Sequence, residues 1–190
     1  MKRYLTFVLL IALSYAAVAQ SSPESTENIM KAAYAKAGAE NKSVILIFHA
    51  SWCGWCHKME ASINDSTCNK FFDKNYVVAY LDVQENGDKK ALENPGAEDL
   101  MKKYKAESAG LPFWLILDPK GNTLATSAMN ANGTSSNSAA DNVGCPATEK
   151  EVDYLVKVLK STSTLTDSEL AIIKTRFRKN EPVKPTTGTN

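Results

Sequence analysis

The stretch Phe48-His49-Ala50-Ser51-Trp52-Cys53-Gly54-Trp55-Cys56-His57-Lys58-Met59-Glu60 decides how this chain is read. Its first two residues close the run Ser43–His49 (SVILIFH), which is apolar and rich in β-branched residues and so predicts a buried, central strand. Its last residues open His57–Ile63, which predicts a helix. Two cysteines three positions apart therefore sit where a strand gives way to a helix. A helix N-terminus carries partial positive charge and unpaired amide protons, and both favour thiolate over thiol. The thiolate is the attacking species in disulfide exchange, so Cys53 reads as the nucleophile. Cys56, almost one turn further on, can attack the resulting mixed disulfide and release the substrate, so it reads as the resolving thiol. This exchange calls for no cofactor.

Three other readings compete with this one. Two cysteines at this spacing are half of a zinc site, but the remaining candidates His49, His57, Cys68 and Cys145 form no second paired spacing, so no metal is expected. Cys53 to His57 also fits C-x-x-C-H, the attachment signature of c-type haem, with His57 as axial ligand and Met101 or Met129 opposite it. Against haem stand the preceding β-branched strand and the downstream Gly110-Leu111-Pro112 break, which have no role in a helical haem domain. The third alternative is a binding or chaperone module whose cysteines are incidental; replacing Cys53 with Ser would leave such a module active.

Around the motif the chain alternates helix and strand. Apolar spacing predicts a helix over Glu27–Glu40, a short helix over Ser66–Asn75, a strand over Tyr76–Asp82 and a helix over Ala97–Lys105, with a polar loop over Gln84–Pro95. Phe113–Leu117 and Thr123–Ser127 read as strands joined by the turn Asp118-Pro119-Lys120-Gly121-Asn122. Met129–Ala147 is small, polar and loop-like. Thr148 with Glu151 forms a capping box ahead of a helix to about Lys160, and a second capped helix is expected over Asp167–Lys179. The expected architecture is α/β: one domain with a mixed sheet of about four strands flanked by helices.

The motif, with its flanking Trp52 and the Trp55, His57 and Met59 that follow, resembles the thioredoxin superfamily. It is most similar to exported members reading W-C-x-W-C-[HK]-x-M. Gly110-Leu111-Pro112-Phe113 resembles that family's cis-proline loop, and Phe113–Ser127 its following strand–turn–strand; the similarity spans about Glu27–Lys160. The resemblance implies a thioredoxin-like fold and a cis bond before Pro112. It also implies a substrate-docking surface of Trp52, Leu111 and Pro112, and it leans toward a reductase. Thioredoxin itself carries a buried Asp six residues before the first cysteine, where this chain has Ile47. Glu60 is the substitute proton carrier that the resemblance offers, and His57 is a second candidate for tuning the thiols.

The ends and the bulk numbers complete the expectation. Lys2 and Arg3, the apolar Leu5–Leu13 and Ala17-Val18-Ala19 describe a secretory signal peptide over residues 1–19. The mature protein is then periplasmic or secreted, with a thioredoxin-like domain over 27–160. A C-terminal extension over 161–190 carries a helix and a disordered tail. Export permits disulfides, so Cys68 and Cys145 are candidates for a structural bridge worth about 3–5 kcal/mol, the alternative being a free buried thiol. Net charge is +1 over 190 residues with no basic stripe, which excludes nucleic acid as an expected partner. The expected partners are protein disulfide or dithiol substrates and an unidentified redox partner, with no membrane span after cleavage.

Overall fold

Ser43–His49 forms strand β1, and its five interior residues are all buried, as an unbroken apolar run requires of a strand covered on both faces. Strand β2 (Tyr76–Asp82) pairs parallel to it, Ser43 opposite Tyr76 through His49 opposite Asp82. Strand β3 (Phe113–Leu117) pairs antiparallel on the other side, Val44 opposite Leu117 and Phe48 opposite Phe113. Strand β4 (Thr123–Thr126) pairs antiparallel to β3, giving the order β2-β1-β3-β4. The turn into β4 forms as read: Gly121 takes φ +84°, and the Asp118 carboxylate accepts the amide protons of Lys120 and Asn122 at 2.8 Å each. This computed structural model describes residues 22–136 and 138–182.

Among the described residues six α-helices cover the sheet. They are α1 (Thr26–Glu40), α2 (Gly54–Ile63), α3 (Asn69–Asn75), α4 (Ala97–Lys103), α5 (Glu149–Thr162) and α6 (Asp167–Arg178). The period of a strand sorts β1 between two cores. Val44, Leu46 and Phe48 face Met30, Ala33 and Ala37 of α1 and Met101 of α4. Ile45 and Ile47 face Met59 and Ile63 of α2, with Phe72 of α3 and Leu155 of α5 in the same cluster. A mixed four-stranded sheet with helices on both faces is the thioredoxin-like α/β fold the sequence led us to expect.

Several local expectations shift. Helix α2 begins at Gly54, so Cys53 is its N-cap and Cys56 lies in its first turn, as expected of two cysteines at a helix start, while other segments differ. The polar loop after β2 contains a 3₁₀ helix, Gly87–Leu92, and the loop after β4 contains another, Ala139–Asp141. Both capping boxes form, Thr148 with Glu151 at α5 and Thr166 with Glu169 at α6. Helix α6 lies in the segment read as an extension. Its Leu170, Ile173 and Phe177 are buried in the same cluster as Ile45 and Ile47, with the Phe177 ring 6.3 Å from that of Phe72. The expected leader over residues 1–19, and the expected tail from residue 183 onward, lie outside the described residues. Among the described residues no helix is long and apolar enough to cross a membrane.

The expected bridge between Cys68 and Cys145 requires correction, because both are free thiols. Each is buried with a partner of its own. The Cys68 thiol donates to the Ser62 carbonyl at 3.1 Å, and Cys145 Sγ accepts from Asn180 Nδ2 at 3.5 Å. The same Asn180 amide donates to Ser62 Oγ at 2.9 Å, so a polar pair from α2 and the end of α6 links the neighbourhoods of the two sulfurs. Burial pushes the Cys145 thiol up to about 12 and raises that of Cys68 as well, which leaves neither as a ready thiolate.

Candidate active site

The antiparallel register of β1 and β3 sets the site. Phe48 lies opposite Phe113, so the loop leaving β1, with its cysteines, meets the loop entering β3, with its proline. Cys53 caps α2 in an extended conformation, and its Sγ accepts the Cys56 amide proton at 3.1 Å. Cys53 and Cys56 are joined by a disulfide with Cα atoms 5.2 Å apart. Both sulfurs that a c-type haem would take as thioethers are thus engaged with each other. The pair is buried with Ala50 and packs against Leu111. The Leu111–Pro112 peptide is cis, as the resemblance implied.

Two tryptophans flank this pair at the surface. Trp52 is 51% exposed, and its Nε1 donates to the Gln84 carbonyl at 2.7 Å. Trp55 is 40% exposed, with Lys58 Nζ 4.1 Å above its ring, a cation–π contact. Beside Trp55 and Leu111 runs a groove of about 520 Å³, lined also by Asn142, Gly144, Cys145 and Glu151. Of Trp52, Leu111 and Pro112, Leu111 lines this groove, which runs along the loop after β4.

The two candidates for tuning the thiols both lie on α2. His57 Nε2 is 3.0 Å from the Ser51 carbonyl oxygen and donates to it when that nitrogen carries the proton. Glu60 is exposed on α2, and its charge adds to burial in lifting the Tyr80 phenol to about 12. Ile47, at the position of thioredoxin's acid, is buried in register with Tyr80 and Trp114. Asp82 is an acidic group on this side of the sheet, in register with His49. Burial raises its pKa, against the pull of His49, whose Nε2 lies 3.2 Å away.

Two residues that sequence reading passed over hold the site together. Asn142 Nδ2 donates to the carbonyls of Gly110 and of Pro112, the latter at 3.2 Å, while its Oδ1 accepts from Gly144 N–H at 3.0 Å. It thereby ties the cis-proline loop to the loop after β4. Glu85, buried behind the cysteine loop, accepts from the Ser51 amide at 2.5 Å and the Ser51 hydroxyl at 2.9 Å. In sequence both look like ordinary polar loop residues; their only signal is a position just after β2 or within reach of Pro112.

Comparison with known proteins follows this geometry. The chain is similar to a disulphide isomerase from Xylella fastidiosa Temecula1 at 22% identity and TM-score 0.44, over 57% of this chain and 80% of that one. It is similar to the C-terminal domain of Neisseria meningitidis DsbD in the oxidised form at 20% identity and TM-score 0.39, over 56% and 84% of the two chains. A thioredoxin from Thermus thermophilus matches at 21% identity and TM-score 0.39, over 56% and 75%. No curated protein matches the sequence at a significant level. The thioredoxin-like domain family matches residues 30–134, more than half of the chain and the part that carries β1, the cysteine pair and Pro112. With that match laid over a mixed sheet, an N-capping cysteine and a cis-proline beside it, the chain belongs to the thioredoxin-like family.

Proposed function

We propose that this chain is an exported thiol–disulfide oxidoreductase that exchanges a Cys53–Cys56 dithiol with disulfides of protein substrates. The observation that carries the reading is the placement of Cys53: its Sγ accepts an amide proton at the N-terminus of α2, and the cysteine pair packs against Leu111 of the cis Leu111–Pro112 bond. In the reducing direction, Cys53 thiolate attacks a substrate disulfide, forming one mixed S–S bond and releasing one substrate thiolate. Cys56, deprotonated, then attacks Cys53 Sγ, closes the internal disulfide and releases the second substrate thiolate. Two electrons pass to the substrate, and a redox partner returns them. An amide proton and the helix terminus favour the attacking thiolate. Trp52, Leu111 and Pro112 form the docking surface in this reading. A reductase is the direction we favour, and the signal peptide over residues 1–19 makes the mature domain periplasmic or secreted. The domain runs over residues 27–160, with α6 packed beneath it.

The test is a redox titration of the mature protein in glutathione buffers, with Cys68 and Cys145 replaced by Ser, read by thiol alkylation and mass. One two-electron couple at Cys53–Cys56 supports the reading, and a low midpoint supports the reducing direction. Cysteines that never interconvert, or a Cys53→Ser variant with undiminished activity, refute it in favour of a binding module.

A further inference from the structure

We infer that Glu85 is a positioning residue for Cys53, acting through Ser51; the inference rests on the proposed disulfide-exchange role of Cys53. Ser51 stands two residues before Cys53, and each of its polar atoms is engaged. Its amide donates to Glu85 Oε1 at 2.5 Å and its hydroxyl to Glu85 Oε2 at 2.9 Å. Lys89 Nζ donates to the same hydroxyl at 3.1 Å, and the carbonyl meets His57 Nε2 at 3.0 Å. One carboxylate takes both Ser51 donors, and a two-point grip fixes orientation as well as position.

Glu85 is itself held. It is 4% exposed, and a carboxylate is retained at such burial only where it is paired or hydrogen-bonded. Its amide donates to Glu93 Oε1 at 2.8 Å, and Lys90 Nζ reaches the same oxygen at 2.9 Å. A second tie runs in parallel from Trp52 Nε1 to the Gln84 carbonyl at 2.7 Å. A continuous line of bonds thus leads from the 3₁₀ helix after β2, through Glu85, to the residues just ahead of Cys53.

The segment Ala50–Trp52 needs such a brace because it has left the β1 ladder and has not joined α2. Its other backbone tie is the turn bond from Cys53 N–H to the Ala50 carbonyl, 3.0 Å. Attack on a disulfide requires the incoming sulfur to approach along the S–S axis, and a displacement of about 1 Å at a reacting group can cost roughly 100-fold in rate. Glu85 supplies the fixed acceptors that keep Cys53 Sγ on that approach.

The test compares Glu85→Ala and Glu85→Gln in the mature protein. Alanine removes both acceptors. Glutamine keeps the length, accepts the Ser51 amide through Oε1 and donates to its hydroxyl through Nε2. Three readouts are taken: amide hydrogen exchange at Ser51, alkylation of Cys53 in the reduced protein, and kcat and KM for reduction of insulin disulfides. In Glu85→Ala the Ser51 amide exchanges about tenfold faster, as loss of a charge-assisted bond requires. Its kcat falls about tenfold while KM stays within about twofold. Glu85→Gln restores both to within about threefold of wild type. Wild-type exchange and kcat in Glu85→Ala overturn the inference, as does a glutamine variant as impaired as alanine, which would assign the effect to charge. If Glu85→Ala does not fold, Glu85→Met fills the space without an acceptor and carries the same expectation. If wild type reduces insulin no better than Cys53→Ser, the disulfide-exchange reading fails, and Ser51 exchange with Cys53 alkylation still decides the brace.

Discussion

Replacing Asn142 with Asp tests whether the loop after β4 holds the cis-proline loop in place. The change is almost isosteric, so packing is preserved and only the donors are lost. In the native structure Nδ2 donates to the carbonyls of Gly110 and Pro112. A net hydrogen bond is worth about 0.5–1.5 kcal/mol, so two lost bonds cost about 1–3 kcal/mol. A carboxylate oxygen then faces two carbonyl oxygens, which moves the cost to roughly 2–4 kcal/mol for a partly exposed site. For a domain of this size each kcal/mol lowers Tm by about 2–4 °C, so Asn142→Asp lowers Tm by roughly 4–16 °C. Asn142→Ala, where water can reach the freed carbonyls, costs about 1–2 kcal/mol. The assay pairs thermal unfolding with insulin reduction, and KM rises in both variants because Leu111 loses its fixed place. An Asn142→Asp protein with wild-type Tm and wild-type KM refutes the argument.

Other expectations are independent of that loop. Phe177→Ala opens a cavity beside Phe72 and costs about 3–5 kcal/mol, measured by urea unfolding; a loss under about 1 kcal/mol would mean that α6 is not part of the core. Cys68 and Cys145 are both alkylated in denatured, unreduced protein, and replacing both with Ser leaves the Cys53–Cys56 midpoint unchanged. A bridged tryptic peptide pair would contradict this. Asp65 is held down to about 2 by Thr67 and by Arg176, whose Nε lies 2.6 Å from its carboxylate. With a folded pKa below the unfolded one, its contribution is present above about pH 4 and is lost as pH falls toward about 2. Acid unfolding of Asp65→Asn is therefore shallower than that of wild type over that window, and identical profiles would remove Asp65 from the account.

Much of the fold was legible because its signals are local. The run Ser43–His49 needs only its neighbours to read as a buried strand, and Thr148 with Glu151 needs only a spacing of three. The cysteine pair and Pro112 were legible through spacing and resemblance together. What remained hidden depends on contacts between distant segments. Glu85 and Asn142 sit in polar loops where nothing in the sequence separates a buried, bidentate acceptor from a solvated one. The pairing of Cys68 with Cys145 was one of two readings, the other being a free buried thiol. It fails because Ser62 and Asn180 give each sulfur a different partner, information that lies 118 residues apart in the chain. The 3₁₀ helix Gly87–Leu92 was missed because it has no buried residue and hence no apolar period.

The burial of Phe177 against Phe72 bears on how the protein is made. The cluster that packs Ile45 and Ile47 of the central strand also draws on Leu159, Ile173 and Phe177. A chain emerging N-terminus first therefore presents β1, both cysteines and the proline loop well before the side chains that close the core beneath α2. During that interval the nascent polypeptide has exposed apolar surface and an unbraced helix under its cysteine pair. Its thiols are then open to whichever oxidant or cysteine they meet first. Closing Cys53 onto Cys56 takes only a four-residue ring, whereas Cys68 lies in the cluster that the distant Phe177 completes, so the short loop favours the native pair before that burial is finished.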